Sequence, residues 1–128
     1  TVPRTKLPEA LVAVKRIAEK YKLSIGNVFH AGDGNLHPLI LFDDRDHAEL
    51  ERVHKAGSEI LKVCADLGGT ISGEHGIGTE KLVEMSLVFR ESDIETMRGI
   101  KAALDPKGLC NPGKLIPPPA GTVKAAAA

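Results

Sequence analysis

The sequence predicts an α+β domain of the ferredoxin-like, split β-α-β type: an antiparallel sheet with helices on one face, followed by further helices toward the C-terminus. Three observations carry this. Apolar residues recur at helical spacing from Leu7 to Tyr21 and again from Leu50 to Leu67. Between them, two β-favouring runs flank the turn Gly32-Asp33-Gly34. Extended stretches precede the first helix and follow the second, at Thr1 to Arg4 and at Thr70-Ile71-Ser72. With a strand ending near Val2, the order becomes β-α-β-β-α-β. A shortened first strand leaves the sheet with a weak centre or an exposed edge, and such edges pair with other chains; a homo-oligomer is the expected consequence.

Pro8 suits the first turn of a helix over about residues 8–22, with Leu7, Leu11, Val14, Ile17 or Ala18, and Tyr21 on one face. Ile25 to His30 and Leu36 to Phe42 form a hairpin. Asp33-Gly34 is the signal for a two-residue type I′ loop, which needs positive φ at both central positions. That loop would set His30 opposite His37. Asp43-Asp44 offers the N-cap of the next helix. Its seam runs through Leu50, Val53, Gly57, Ile60, Cys64 and Leu67, and Gly57 within the seam predicts close backbone approach. Gly68-Gly69 ends it. Thr79 caps a short helix to about Met85. Ser92 to Glu95 forms a capping box opening a helix that turns Ile94, Met97, Ile100 and Leu104 inward, and Asp105 to Gly108 stops it. Residues 1–117 form the domain; residues 118–128, proline-rich and then alanine-rich, are expected to be disordered.

Composition excludes several functions. Seventeen basic residues balance 17 acidic ones, and aromatic residues make up 3% with no Trp. A nucleic-acid partner is not expected from that balance. No apolar run approaches the roughly 18–20 residues of a membrane span. Cys64 and Cys110 form no C-x-x-C, and Cys64 falls on an apolar helix face as a buried thiol. A reducing compartment fits; the setting expected is cytoplasmic, with peripheral membrane attachment as a variant.

The chemistry concentrates in two clusters. In His30-Ala31-Gly32-Asp33-Gly34-Asn35-Leu36-His37 two imidazoles bracket a turn; opposed residues on one sheet face have Cβ atoms roughly 4.5–5.5 Å apart, close enough to share an ion. Taken alone, such a pair reads more readily as two ordinary histidines on a solvated turn. Downstream, Gly73-Glu74-His75-Gly76-Ile77-Gly78 adds a carboxylate and a third imidazole. His30, His37 and Glu74 give the two-histidine, one-carboxylate set of catalytic Zn²⁺, Mn²⁺ or Fe²⁺ sites. His75, whose side chain diverges from that of Glu74, is the candidate general base. Asn35 can donate to a substrate oxygen or stabilise the turn, and Asp33 reads as a turn former. His47 and His54 fall on the polar side of their helix. The glycines complete neither a dinucleotide fingerprint nor a P-loop.

These motifs, followed by Asn111-Pro112-Gly113-Lys114, resemble the C-terminal domain of FAD-linked oxidases of the vanillyl-alcohol-oxidase type, and most of all the glycolate oxidase FAD-binding subunit with D-lactate and D-2-hydroxyglutarate dehydrogenases as relatives. The resemblance implies a substrate- and metal-binding cap lobe. His30, His37 and Glu74 would hold a divalent metal that polarises a 2-hydroxy acid of the glycolate or D-lactate type. His75 would take the hydroxyl proton as hydride passes to FAD. Asn35 and, through the substrate carboxylate, Arg4 would bind substrate. Asn111 and Lys114 would lie where the chain returns toward the flavin. The FAD-binding domain of that family lies N-terminal to all of these residues and is absent here, so this chain alone is expected to hold no FAD and show no oxidase activity; other oxidase subunits are expected partners. A metal-dependent hydrolase and a non-catalytic ferredoxin-like binding or dimerisation domain are the alternatives.

Overall fold

The computed structural model describes residues 1–119, so the expected disorder of the tail falls, from position 120 on, outside the described residues. The chain forms two compact units, Thr1–Glu74 and a second beginning at His75. The α+β class holds: three α-helices accompany a two-stranded antiparallel sheet. No helix among the described residues is long and apolar enough to cross a membrane.

In the first unit, a 3-10 turn (Arg4–Lys6) leads into α1 (Leu7–Tyr21), with proline in the first turn where its missing N–H costs nothing. Leu7, Ala10, Val14 and Ile17 are buried, and Lys22 in the left-handed conformation closes the helix. Strands β1 (Ser24–His30) and β2 (Asn35–Leu41) follow, then α2 (His47–Asp66). The α2 cap is Asp46, whose carboxylate accepts from the Ala48 and Glu49 backbone at 2.9 and 3.1 Å. Asp43, expected with Asp44 to be the cap, instead accepts from the Arg45 backbone and guanidinium, which holds its carboxyl below the usual range. The core joins α1 and α2: Val2, Leu7, Ala10, Val14, Ile17, Leu23, Ala56, Ile60 and Cys64 are buried together, with Ile25, Leu36 and Ile40 of the hairpin against them. Burial pushes the Cys64 thiol up. Ala56 is buried with no exposure at all, whereas at Gly57, where close approach was expected, an added Cβ would meet nothing within 4 Å. Glu59 of α2 accepts from Lys20 and Tyr21 of α1 at 2.6 and 2.9 Å, and the Lys20 ammonium draws its carboxyl down.

The hairpin differs from the expected one in register. His30 pairs with Asn35, Phe29 with Leu36 and Val28 with His37. A two-residue I′ loop requires positive φ at both centres, and of Asp33 and Gly34 only Gly34 adopts it, at 68°. The loop is therefore four residues long, closed by the Asp33 N–H on the His30 carbonyl at 3.1 Å. The shift is two residues, and because side chains alternate, each keeps its expected face. Ile25, Leu36 and Ile40 face the helices; Val28, His30, Asn35, His37, Leu39 and Leu41 share the opposite face.

The ferredoxin-like sheet does not form in full. Thr70 to Ser72 is not a strand; Thr70 and Thr1 pair through their backbones at 3.0 and 3.2 Å. Val2 N–H in turn donates to the Gly34 carbonyl at 2.9 Å. Thr1 and Val2 thus lie between Gly34 and Thr70, where a split β-α-β sheet has its first strand.

In the second unit, a 3-10 turn at Val83–Leu87 replaces the helix expected from Thr79 to Met85. Helix α3 (Glu91–Leu104) begins two residues earlier than the capping box at Ser92 implied, because the Asp93 carboxylate accepts the Arg90 N–H at 2.9 Å. Ile94 is buried and Met97 half-buried, whereas Ile100 and Leu104, expected inside, are 58% and 83% exposed. Arg98 donates to the Pro117 and Pro118 carbonyls at 3.0 and 3.1 Å and so ties the start of the expected tail to α3. Asp105 closes α3 by accepting from Lys101 and from the Leu109 and Cys110 backbone.

Two outcomes follow. At Gly34 a Cβ would lie 2.0 Å from the Val2 carbonyl oxygen, so Gly34→Ala, combining that clash with left-handed strain, is expected to destabilise the first unit by about 2 kcal/mol or more; a wild-type urea midpoint by circular dichroism contradicts it. The Lys101 ammonium, with the Cys110 and Leu109 N–H groups, holds Asp105 down at about 2 against 3.8 for the free side chain. Its contribution is therefore present above about pH 4 and is lost as pH falls toward 2. Asp105→Asn is expected to flatten the acid-side fall in stability over that window; an unchanged profile contradicts the assignment.

Candidate metal centre

The hairpin delivers two imidazoles to one face. His30 ends β1, and His37 stands one diagonal step along β2, a separation that long side chains still span. Their rings meet edge-to-face with centroids 5.4 Å apart.

The carboxylate arrives from the segment after α2. Gly68, at φ 79°, turns the chain out of the helix. Gly69 packs against Thr1, whose carbonyl oxygen would be 2.0 Å from a Cβ there. The Thr1–Thr70 pairing and the buried Ile71 carry the chain on to Gly73 and Glu74. Glu74 Oε1 lies 3.6 Å from both His30 Nε2 and His37 Nε2.

These three side chains each offer one ligand atom, all within 4.8 Å of one another, and they are the one such group of three among the described residues. Four ligands at the bond lengths of tetrahedral zinc, about 2.1 Å, stand about 3.4 Å apart, close to the 3.6 Å that separates Glu74 from each imidazole nitrogen. The His30 and Glu74 side chains are 58% and 51% exposed, which leaves the cluster open to water or a ligand. His37 is only 18% exposed and anchors the inner side.

Asn35, opposite His30, is buried, and its Nδ2 donates to Glu74 Oε1 at 2.5 Å and lies 3.4 Å from His37 Nε2. This contact to Glu74 was not legible in the sequence, where Asn35 pairs naturally with the turn. Arg4 is exposed on the 3-10 turn after Val2, outside the three-donor group. His75, Asn111 and Lys114 belong to the second unit and are exposed. His75 follows Glu74 directly in the chain. Asn111, at φ 48°, and Lys114 close a turn in which Lys114 N–H donates to the Asn111 carbonyl at 3.2 Å, and the next residue, Leu115, donates to the Gly78 carbonyl at 2.9 Å. His47 and His54 are exposed on α2.

Fold and donor set define a class: an α+β lobe presenting an open two-histidine, one-carboxylate cluster on the hairpin face opposite Ile25, Leu36 and Ile40. The chain matches the family model for the C-terminal domain of FAD linked oxidases over residues 1–115, and it belongs to that family. It is similar to glycolate oxidase subunit GlcD of Escherichia coli (strain K12), 51% identical over 117 residues that cover 91% of this chain and 23% of that protein. It is 44% identical over 115 residues to glycolate oxidase subunit GlcD of Bacillus subtilis, covering 90% of this chain and 24% of that protein. It is 39% identical over 118 residues to D-lactate dehydrogenase of Archaeoglobus fulgidus, covering 90% of this chain and 25% of that protein. The chain thus spans about a quarter of the length of these relatives.

The close fit of Gly73 against Asn35 yields a prediction. A Cβ at Gly73 would lie 2.4 Å from Asn35 Oδ1 and 2.7 Å from Thr1 Cγ2. Gly73→Ala is therefore expected to cost about 1–3 kcal/mol and to shift the His30 and His37 ring signals in proton NMR; unshifted rings and an unchanged melting temperature contradict the contact.

Proposed function

We propose that this chain is the substrate- and metal-binding lobe of an FAD-dependent oxidoreductase that converts a 2-hydroxy acid of the glycolate or D-lactate type to the 2-oxo acid. The observation that carries the proposal is the convergence of His30, His37 and Glu74 within 4.8 Å in a chain of this family. The names of the relatives, glycolate oxidase subunit and D-lactate dehydrogenase, support the substrate class.

The donor set suits a divalent ion: two neutral imidazoles and one carboxylate leave it a net positive charge, and three ligands leave positions for substrate. Bound there, the ion supplies Lewis-acid polarisation of the substrate hydroxyl and carboxylate. FAD, held by another part of the protein, is the hydride acceptor. The residues of this chain do the rest. His30, His37 and Glu74 fix where the hydroxyl sits. An imidazole nitrogen of His75 takes the hydroxyl proton as the α-carbon gives up its hydride, leaving the carbonyl of the 2-oxo acid, so two electrons and two protons' worth of hydrogen are accounted for. Arg4 meets the substrate carboxylate. Asn111 and Lys114 face the flavin side.

The test has two arms. Calorimetric titration of the chain with Zn²⁺ or Mn²⁺ is expected to show one site that His30→Ala, His37→Ala or Glu74→Ala weakens by about 100-fold or more, beyond what loss of an outer-shell partner does; retained affinity in these variants removes the ligand assignment. In the protein carrying its flavin domain, His75→Ala is expected to slow flavin reduction by glycolate or D-lactate by about 10²–10⁴-fold with metal content unchanged. An undiminished rate removes His75 as the base.

A further inference from the structure

Asn35 is the one buried polar residue of the described core, 5% exposed at the first position of β2. Buried amides need hydrogen-bond partners, and here the amide nitrogen is bonded while the amide oxygen is sterically confined. Nδ2 donates to Glu74 Oε1 at 2.5 Å and lies 3.4 Å from His37 Nε2. Oδ1 packs against Gly73, so closely that a Cβ there would lie 2.4 Å away. An amide held in this way has its donor directed at Glu74. It has the means to hold one oxygen of Glu74 at equal distance, 3.6 Å, from the two imidazole nitrogens.

We propose that Asn35 is a positioning residue, which sets the Glu74 carboxylate for metal binding and is itself locked by the missing side chain of Gly73. This rests on the metal-site reading above. The choice of residue has a chemical reason. A Lys or Arg in this place would also hold the carboxylate, but it would cancel the charge that attracts the cation. An Asp would repel Glu74 and leave it without a donor. A neutral amide orients the carboxylate and leaves its charge intact. Asn35 thereby does for Glu74 what the strand backbone does for the two histidines.

The experiment is calorimetric titration of the chain with Zn²⁺ alone, for wild type, Asn35→Leu, Glu74→Ala and the double variant, each checked for a cooperative far-UV melt. Asn35→Leu keeps the volume and removes the donor. It is expected to weaken Zn²⁺ binding by about 10–100-fold. In the Glu74→Ala background the same substitution is expected to change affinity by less than about twofold, because its effect passes through the absent carboxylate. Should Asn35→Leu lose its cooperative melt, Asn35→Ser carries the same test, since its hydroxyl stops short of Glu74. Equal losses in both backgrounds overturn the proposal in favour of a purely structural role. Wild-type affinity in the Asn35 variant, with Glu74→Ala weakened, overturns it while leaving the metal site standing. If wild type takes up no Zn²⁺, or Glu74→Ala binds it as well as wild type, the metal reading fails and this proposal falls with it.

Discussion

Thr1 and Val2 tie the first unit together. Val2 closes on the Gly34 carbonyl, and Thr1 exchanges backbone contacts with Thr70. The first contact pins the hairpin loop, and with it the offset that sets His30 and His37 on one diagonal. The second brings the segment after α2 alongside, so that Glu74 reaches the same face. Two glycines make this approach feasible: at Gly34 and Gly69 a Cβ would come within 2.0 Å of the Val2 or Thr1 carbonyl oxygen. The donor cluster is therefore a product of backbone contacts far more than of side-chain attraction, and its parts come from three separate stretches of sequence.

Helix positions were readable from periodicity because α1 and α2 bury one face each in a shared core, against each other and the hairpin. Leu7, Val14, Ile17, Ile60 and Cys64 are buried where helical spacing placed them. The same reasoning failed at Ile100 and Leu104 of α3, whose apolar residues are exposed: periodicity reports an amphipathic face, not what covers it. The α2 cap was missed because Asp43, Asp44 and Asp46 are equivalent as residue types, and only the geometry of the turn selects Asp46.

The hairpin teaches a finer lesson. Asp33-Gly34 carried the correct message that the chain reverses there, but the turn type depends on φ at both residues, and the Asp33 side chain does not announce which region it takes. The error was two residues, and alternation made it harmless to the site: His30, Asn35 and His37 kept their shared face. The nearness of Glu74 was suggested only by residue type; the contact that delivers it, through Thr1, Gly69 and Gly73, leaves no local pattern. The tight packing of Asn35 was likewise invisible, because an Asn after a glycine turn has an adequate local explanation.

The two faces of the hairpin divide the labour of the sheet. Ile25, Leu36 and Ile40 belong to the core, whereas His30 and His37 stand on the other side. The exposed donors, His30 and Glu74, can therefore be exchanged for other side chains with little effect on the packing that keeps the chain folded. Such an arrangement lets substitutions accumulate at the reactive face while the scaffold persists, and a lineage can retune or abandon its chemistry without first having to rebuild its core. Asn35 is the exception: it is buried and bonded to a donor at once, so it is where the freedom to vary ends.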